Sequence, residues 1–295
     1  MTLYLGKTVQ KDLSILNTTS TFLPTASGEE HRYNNALEDP IRRKILELNN
    51  HIPNNMNYRF NNYGFRGEDF IVGTDCDVCI GSSNTWGGGN YEENIYPSLI
   101  AKQTGRTVYN LGHPAGTADG CYRYSAYWLP KLMPKTVYSV WPAVGRTEII
   151  LSGTDELTKN KIKWAKHISK AESKRKTVED EWPNDNSEWF GKYFGNTENS
   201  TINNLKNLHA IKQICDTIGA EFIVARPTVI NLTDLSEELQ AQDTVNIQGG
   251  AWPHGDIGRD FKHRGSEFHK LIAEYLLNRN DYDNLCQQLE RDLWQ

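Results

Sequence analysis

The sequence predicts an α/β fold, a three-layer sandwich with a central parallel sheet. Two observations carry this. Short, continuously apolar runs alternate along the chain with segments whose apolar residues recur at helical spacing. The apolar runs lack the in-and-out alternation of a sheet with one wet face, which is the pattern of strands covered on both sides.

The elements follow in order. Residues 1–57 are polar, rich in Thr, Ser and Asn, and read as an N-terminal extension on or beside the core. One helix is expected there, Pro40 to Asn49, where Ile41, Ile45, Leu46 and Leu48 make a rough apolar face. Residues 58–295 read as the main domain. Asp77 to Ile80 is a short buried strand ended by Gly81, and a polar loop with Gly87-Gly88-Gly89 follows. Pro97 to Thr104 is a short helix, with Pro near its first turn and Gly105 at its end. Thr107 to Leu111 is a second strand. Asp119 reads as the cap of a helix through Tyr122, Tyr124 and Trp128. Val137 to Trp141 is a third strand.

From about residue 154 to 200 the chain is charged, and it reads as an insertion packed over the body. Its basic run, Lys161 to Lys176, precedes Glu179-Asp180-Glu181 and has the character of a solvated helix face, with Trp164, Trp182 and Trp189 interleaved. Leu205, Leu208, Ile211, Cys215 and Ile218 recur at helical spacing and stop at Gly219. Phe222 to Ala225 is a further strand. Phe268, Leu271, Ile272, Tyr275 and Leu276 form a clean helical stripe.

Composition narrows the function classes. Of 295 residues, 38% are hydrophobic and 23% charged, enough apolar surface for a sizeable core. Mean hydropathy is −0.64, and no apolar run approaches the ~20 residues of a membrane helix. The start, Met1 to Lys7, lacks the pattern of a secretory signal, so a cytoplasmic location is the default expectation, with attachment to a virion if the source is viral. A net charge of −5 argues against nucleic acid as the main ligand. Five scattered cysteines do not make a disulfide framework, and Cys76-Asp77-Val78-Cys79 reads as ordinary strand cysteines.

In parallel sheets chemistry collects in loops beyond the carboxyl ends of the strands. Three such loops stand out. Gly81-Ser82-Ser83-Asn84-Thr85-Trp86-Gly87 places a serine just past a strand end. Asn110-Leu111-Gly112-His113-Pro114-Ala115-Gly116 follows the next strand and can bring a glycine N–H to the same cleft. Gly258 to Gly265 precedes the last apolar stripe and holds Asp260 and His263, three residues apart. A turn at that spacing sets a carboxylate on one imidazole nitrogen and leaves the other free as a base. A serine hydroxyl needs such a base to act as a nucleophile at neutral pH.

Together these blocks resemble the SGNH, or GDSL-type, hydrolase family. In that family's first block, G-D-S-x-T-x-G, Gly81, Ser83, Thr85 and Gly87 match, and Ser82 replaces the aspartate. Gly116 matches the second block, and Asp260 with His263 matches the final D-x-x-H. Asn61 to Gly67 looks like the lead-in of some members. The family's third block, G-x-N-D, is missing, since the third strand runs into Trp141-Pro142-Ala143-Val144-Gly145-Arg146.

The resemblance implies a flavodoxin-like fold and a carboxylic ester hydrolase with Ser83 as nucleophile, His263 as base and Asp260 as its orienter. It implies backbone N–H groups of Ser83 and Gly116 in the oxyanion hole, and either Arg146 substitutes for the missing asparagine or the hole is one donor short. Trp86 and His254 are candidate substrate contacts, and the substrate is a small-molecule or glycan ester, with acetyl esters on carbohydrate favoured by the tryptophans. No cofactor is implied. Two alternatives stay open. A catalytically inactive binding or structural module would use Trp86 and Trp252 as stacking platforms for sugars, and His254, Asp256, Asp260 and His263 could hold a divalent metal. Gly87-Gly88-Gly89 lacks the Lys-Ser/Thr of a phosphate loop.

Overall fold

The structure is a computed structural model that describes residues 16–22, 28–154, 161–169, 197–225, 245–247, 250–252 and 256–294. Near its start, β1 (Thr19–Ser20) pairs antiparallel with β2 (Tyr58–Arg59), and two helices lie between them, α1 (Glu29–Glu38) and α2 (Pro40–Leu48). Asp39 begins α2 by accepting the N–H groups of Ile41 and Arg42 at 2.9 and 3.2 Å, with Pro40 at the first helical position.

The central sheet contains β3 (Cys76–Gly81), β4 (Thr107–Gly112), β5 (Thr136–Val140) and β8 (Glu221–Ala225), in the order β4-β3-β5-β8 with every pair parallel. Alternate residues serve two cores. Val78, Ile80, Leu111, Val137, Phe222 and Val224 face one apolar cluster, which α5 (Ala118–Leu132), α6 (Thr197–Ile218) and α8 (Tyr282–Trp294) complete. Cys79, Tyr138, Val140, Ile223 and Ala225 face the other, completed by α4 (Tyr96–Thr104) and α7 (Ser266–Asn278). Helices therefore cover both faces, which explains the continuously apolar strands and makes three layers. Cys76 and Cys79 belong to opposite clusters, and both are buried free thiols. A one-turn helix, α3 (Ser83–Trp86), leaves the end of β3.

Two local expectations are corrected. The helix at 118–132 is capped by Thr117, whose hydroxyl accepts the Gly120 N–H at 3.0 Å, and not by Asp119. The Asp119 carboxylate instead accepts from Thr147 Oγ1, Glu148 N–H, Asn203 Nδ2 and Asn207 Nδ2 at 2.8–3.1 Å. The start of the basic run is also not helical. Arg146–Thr154 and Lys161–Ser169 form β6 and β7, an antiparallel pair of nine residues each. Alternating Lys161, Lys163 with Ile162, Trp164 suits a period of two as well as a charged helix face, so composition alone misread the period. A second small pair joins β9 (Val245–Ile247) to β10 (Gly250–Trp252).

Candidate active site

Ser83 lies where β3 turns into α3, at the carboxyl edge of the sheet, and is half-buried. The turn is tight. A Cβ on Gly81 would come 2.0 Å from Thr85 Oγ1 and 2.7 Å from Val140 O, so residue 81 must be glycine. Thr85 is buried and holds the turn by donating to Ile80 O at 3.3 Å while receiving the Tyr96 hydroxyl at 2.8 Å. Asn110 ties β4 to the same turn, donating to Thr85 O and accepting the Gly112 N–H, each at 2.8 Å. The Ser83 N–H belongs to the first turn of α3, where backbone donors have no intrahelical partner.

Beyond α3 the chain enters Gly87-Gly88-Gly89. The N–H groups of Gly87 and Gly88 donate to Ser83 O at 2.8 and 3.2 Å. Arg66 closes this end. Its guanidinium is fully buried and donates to Trp86 O, Gly87 O and Asn90 O at 3.1, 2.5 and 2.6 Å. It also sits 4.8 and 5.2 Å from the ring centroids of Tyr58 and Trp86. Sequence reasoning quoted the segment around Arg66 but assigned it no task.

The Asp260–His263 pair is joined as its spacing predicts. His263 Nδ1 and Asp260 Oδ2 are 2.5 Å apart, and Asp260 Oδ1 accepts the N–H groups of Lys262 and His263 at 3.0 and 3.1 Å. Burial works to raise the Asp260 pKa, but the imidazole and the two N–H donors outweigh it and hold the carboxyl well below the usual range. Burial likewise disfavours a charged His263, but the Asp260 carboxylate prevails and raises its pKa above the ordinary 6.5.

The glycine run is the seat of this pair. A Cβ on Gly88 would stand 2.7 Å from His263 Nδ1, and one on Gly89 would stand 2.7 Å from Asp260 Oδ1. Gly88 thus touches the imidazole through its α-carbon and Ser83 through its N–H. Among the described residues, the ring's hydrogen bond is to Asp260, and none joins it to Ser83 Oγ.

The remaining site candidates divide. The α-carbon of Gly116 packs against the turn that carries Ser83, its Cβ position being 2.8 Å from Gly81 O and 3.0 Å from Ser82 Cα. Its N–H, however, donates to His113 O at 2.9 Å and is not presented to the cleft. Trp86 is only 2% exposed and packs on Tyr58 and Phe60, so it is core and no substrate platform. Arg146 opens β6, where it pairs with Ser169 of β7, and lies away from the Ser83 turn in the chain. His254 lies outside the described residues. At the missing third block, the indole of buried Trp141 donates to Asn204 Oδ1 at 2.9 Å. Asp256, from the metal alternative, accepts the N–H groups of Glu267 and Phe268 at 3.1 and 2.9 Å and so caps α7.

No family model matches the chain, and neither does any curated protein. Among solved structures, the chain is similar to a protein assigned to the G-D-S-L family of lipolytic proteins from Desulfitobacterium hafniense DCB-2, with 16% identity, a TM-score of 0.29, and coverage of 68% of this chain and 96% of that one. It is also similar to LAE5, an alpha/beta hydrolase enzyme from the metagenome of Lake Arreo, Spain, with 14% identity, a TM-score of 0.26, and coverage of 76% and 98%. At TM-scores this low, neither likeness bears on mechanism.

Proposed function

We propose that this chain is a serine hydrolase of the SGNH type that cleaves carboxylic esters. The observation that supports this most is the Asp260–His263 pair seated on Gly88 and Gly89, directly after the turn that carries Ser83. In this reading Asp260 fixes the ring with a proton on Nδ1, and Nε2 takes the Ser83 proton as Oγ attacks the ester carbonyl. The tetrahedral intermediate collapses with loss of the alcohol, which receives that proton from His263. Water, deprotonated by the same ring, then releases the acid from Ser83. The Ser83 N–H is the oxyanion donor that the turn leaves available. Gly116 becomes a second donor only if the 113–116 turn opens, since its N–H is held by His113 O.

Burial of Trp86 removes one of the two tryptophans that favoured carbohydrate esters, so the reading rests at the level of a carboxylic ester. A second reading is an inactive binding module. The engaged Gly116 N–H and the tryptophan at the third-block position favour it.

Labelling with a fluorophosphonate separates the two, because only an activated serine reacts. The hydrolase reading expects one adduct, located at Ser83 by mass spectrometry and absent in Ser83→Ala. A folded protein that takes no label, or that keeps the label and its esterase turnover after Ser83→Ala, rules the assignment out.

A further inference from the structure

The loop that carries Asp260 and His263 is tied within itself by an isolated bridge between Ile257 and Arg264 and by bonds from Gly258 N–H to His263 O at 2.8 Å, Phe261 N–H to Gly258 O at 2.9 Å and Gly265 N–H to Asp256 O at 3.1 Å. It is also held from outside. Glu29 opens α1, is 2% exposed, and collects three donors on one oxygen, Oε1: the Tyr58 hydroxyl at 2.7 Å, and Nε and Nη2 of Arg259 at 3.2 and 2.9 Å. Arg259 is wholly buried, with further bonds to Met56 O, Asn54 Oδ1 and Thr21 O, and its guanidinium lies 4.6 Å from the ring centroid of Phe22.

These two side chains meet at one residue of the glycine run. The Tyr58 hydroxyl accepts the Gly89 N–H at 2.9 Å, and the Arg259 N–H donates to Gly89 O at 2.7 Å. Gly89 is therefore clamped from both sides by groups that Glu29 holds. Arg259 immediately precedes Asp260, and Gly88 immediately precedes Gly89, so the clamp fixes the carboxylate and the floor under the imidazole together. Two further bonds come from the same side, Arg32 Nε to Asp260 O at 2.6 Å and His51 Nε2 with Ile257 O at 3.2 Å. A buried ion pair is a poor source of net stability but a good source of fixed geometry.

We propose that Glu29, Tyr58 and Arg259 are positioning residues, and that the chain before the sheet is the scaffold that sets the Asp260–His263 pair against the nucleophile turn. This rests on the reading of Ser83 and His263 as the reacting pair. Tyr58 stays a hydroxyl donor, because burial and then the Glu29 charge push its ionisation far above the usual range. The other titratable groups near the imidazole are Asp260, Lys262, Glu29 and His269.

The mildest test is Tyr58→Phe, which deletes one oxygen, paired with Glu29→Gln, which keeps shape and removes charge. Asn34→Gly serves as a control, since it weakens α1 at an exposed position. Three quantities are read on the full chain: the His263 imidazole titration by NMR, kcat and KM on p-nitrophenyl acetate, and thermal melting. Both clamp variants are expected to melt cooperatively, to move the His263 midpoint down toward 6.5, and to lose kcat by about ten- to a hundredfold at unchanged KM. Asn34→Gly is expected to lower the melting temperature and leave the midpoint where it was. An unchanged His263 midpoint in Tyr58→Phe, or an unchanged kcat in whichever clamp variant folds, overturns the proposal, and so does an equal shift in Asn34→Gly. If the wild type neither turns over nor labels, but the midpoint still moves in the clamp variants alone, the hydrolase reading falls and the scaffold stands.

Discussion

At the scale of single residues, the proposed chemistry depends on one imidazole and the space made for it. Because Asp260 raises the His263 pKa, the neutral ring that can accept a proton appears only as pH climbs past a midpoint above 6.5. The rate of ester hydrolysis, followed as kcat/KM against pH, should therefore rise through that midpoint. Asp260→Asn should lower kcat by about 10³–10⁴-fold, as expected when a ring loses its orienter and favoured tautomer. Gly88→Ala is a sharper test, because its methyl group would intrude to 2.7 Å from Nδ1. It should cost about 10²-fold in kcat through displacement of the ring. A Gly88→Ala enzyme with wild-type kcat would show that the imidazole need not sit where it does. The position of Ser83 after β3 and the Asp260–His263 contact were legible from spacing because a strand-end turn and a D-x-x-H turn are local patterns. Arg66 was not, since its partners are backbone carbonyls 20–24 residues away that no residue type announces.

At the scale of elements, Asp119 binds α5, β6 and α6 into one unit through four hydrogen bonds. Arg123 and Glu148 reinforce it with two contacts of 2.7 and 2.8 Å between nearly buried side chains. Asp119→Ala should lower stability by about 2 kcal/mol or more, because the amides it satisfies would be left without an acceptor. Chemical denaturation reads that loss, while esterase turnover per folded molecule should stay near wild type, since α5 and α6 pack on the opposite face of the sheet from α7. The four strands of the central sheet were readable from periodicity to within a residue, as with Thr107–Gly112, and the stripe of Phe268 to Leu276 to within two residues of Ser266–Asn278, whereas α6 begins eight residues before its stripe at Leu205. Capping by Thr117 was missed because two positions, 117 and 119, offered side-chain acceptors, and only the distant pull of β6 and α6 on Asp119 decided between them.

At the scale of the whole molecule, stability should fall on mild acidification. His51 and His269 are buried, and burial lowers their pKa values to about 4 and about 3. Their neutral forms are held in the folded protein, while the unfolded chain takes up protons from about pH 6.5 downward. The sign is thus a loss of stability as pH drops from 6.5 toward those values, on the order of 1–2 kcal/mol from His51 alone between pH 7 and pH 5. His263 acts in the opposite sense, its raised pKa adding stability below 6.5, and Asp260 contributes no change in this window. Urea unfolding at pH 7 and pH 5 should show the net loss, and His51→Gln should shrink it. An equal loss in that variant would assign the effect to other groups.

The sequence by itself determined the α/β layering, because strands buried on both faces must be apolar throughout and helices that cover them must carry a stripe. It also determined the local Asp260–His263 pair and the serine turn, since each needs only neighbours in the chain. The tertiary structure alone decided that the glycine run seats the pair, that Trp86 is core, that the Gly116 N–H is engaged, and that Glu29 anchors a loop 230 residues away. These are contacts between backbone groups or between side chains far apart in the chain. A hydrogen bond to a peptide group leaves no trace in residue type, and a buried charge finds its partner only when the fold removes water from both.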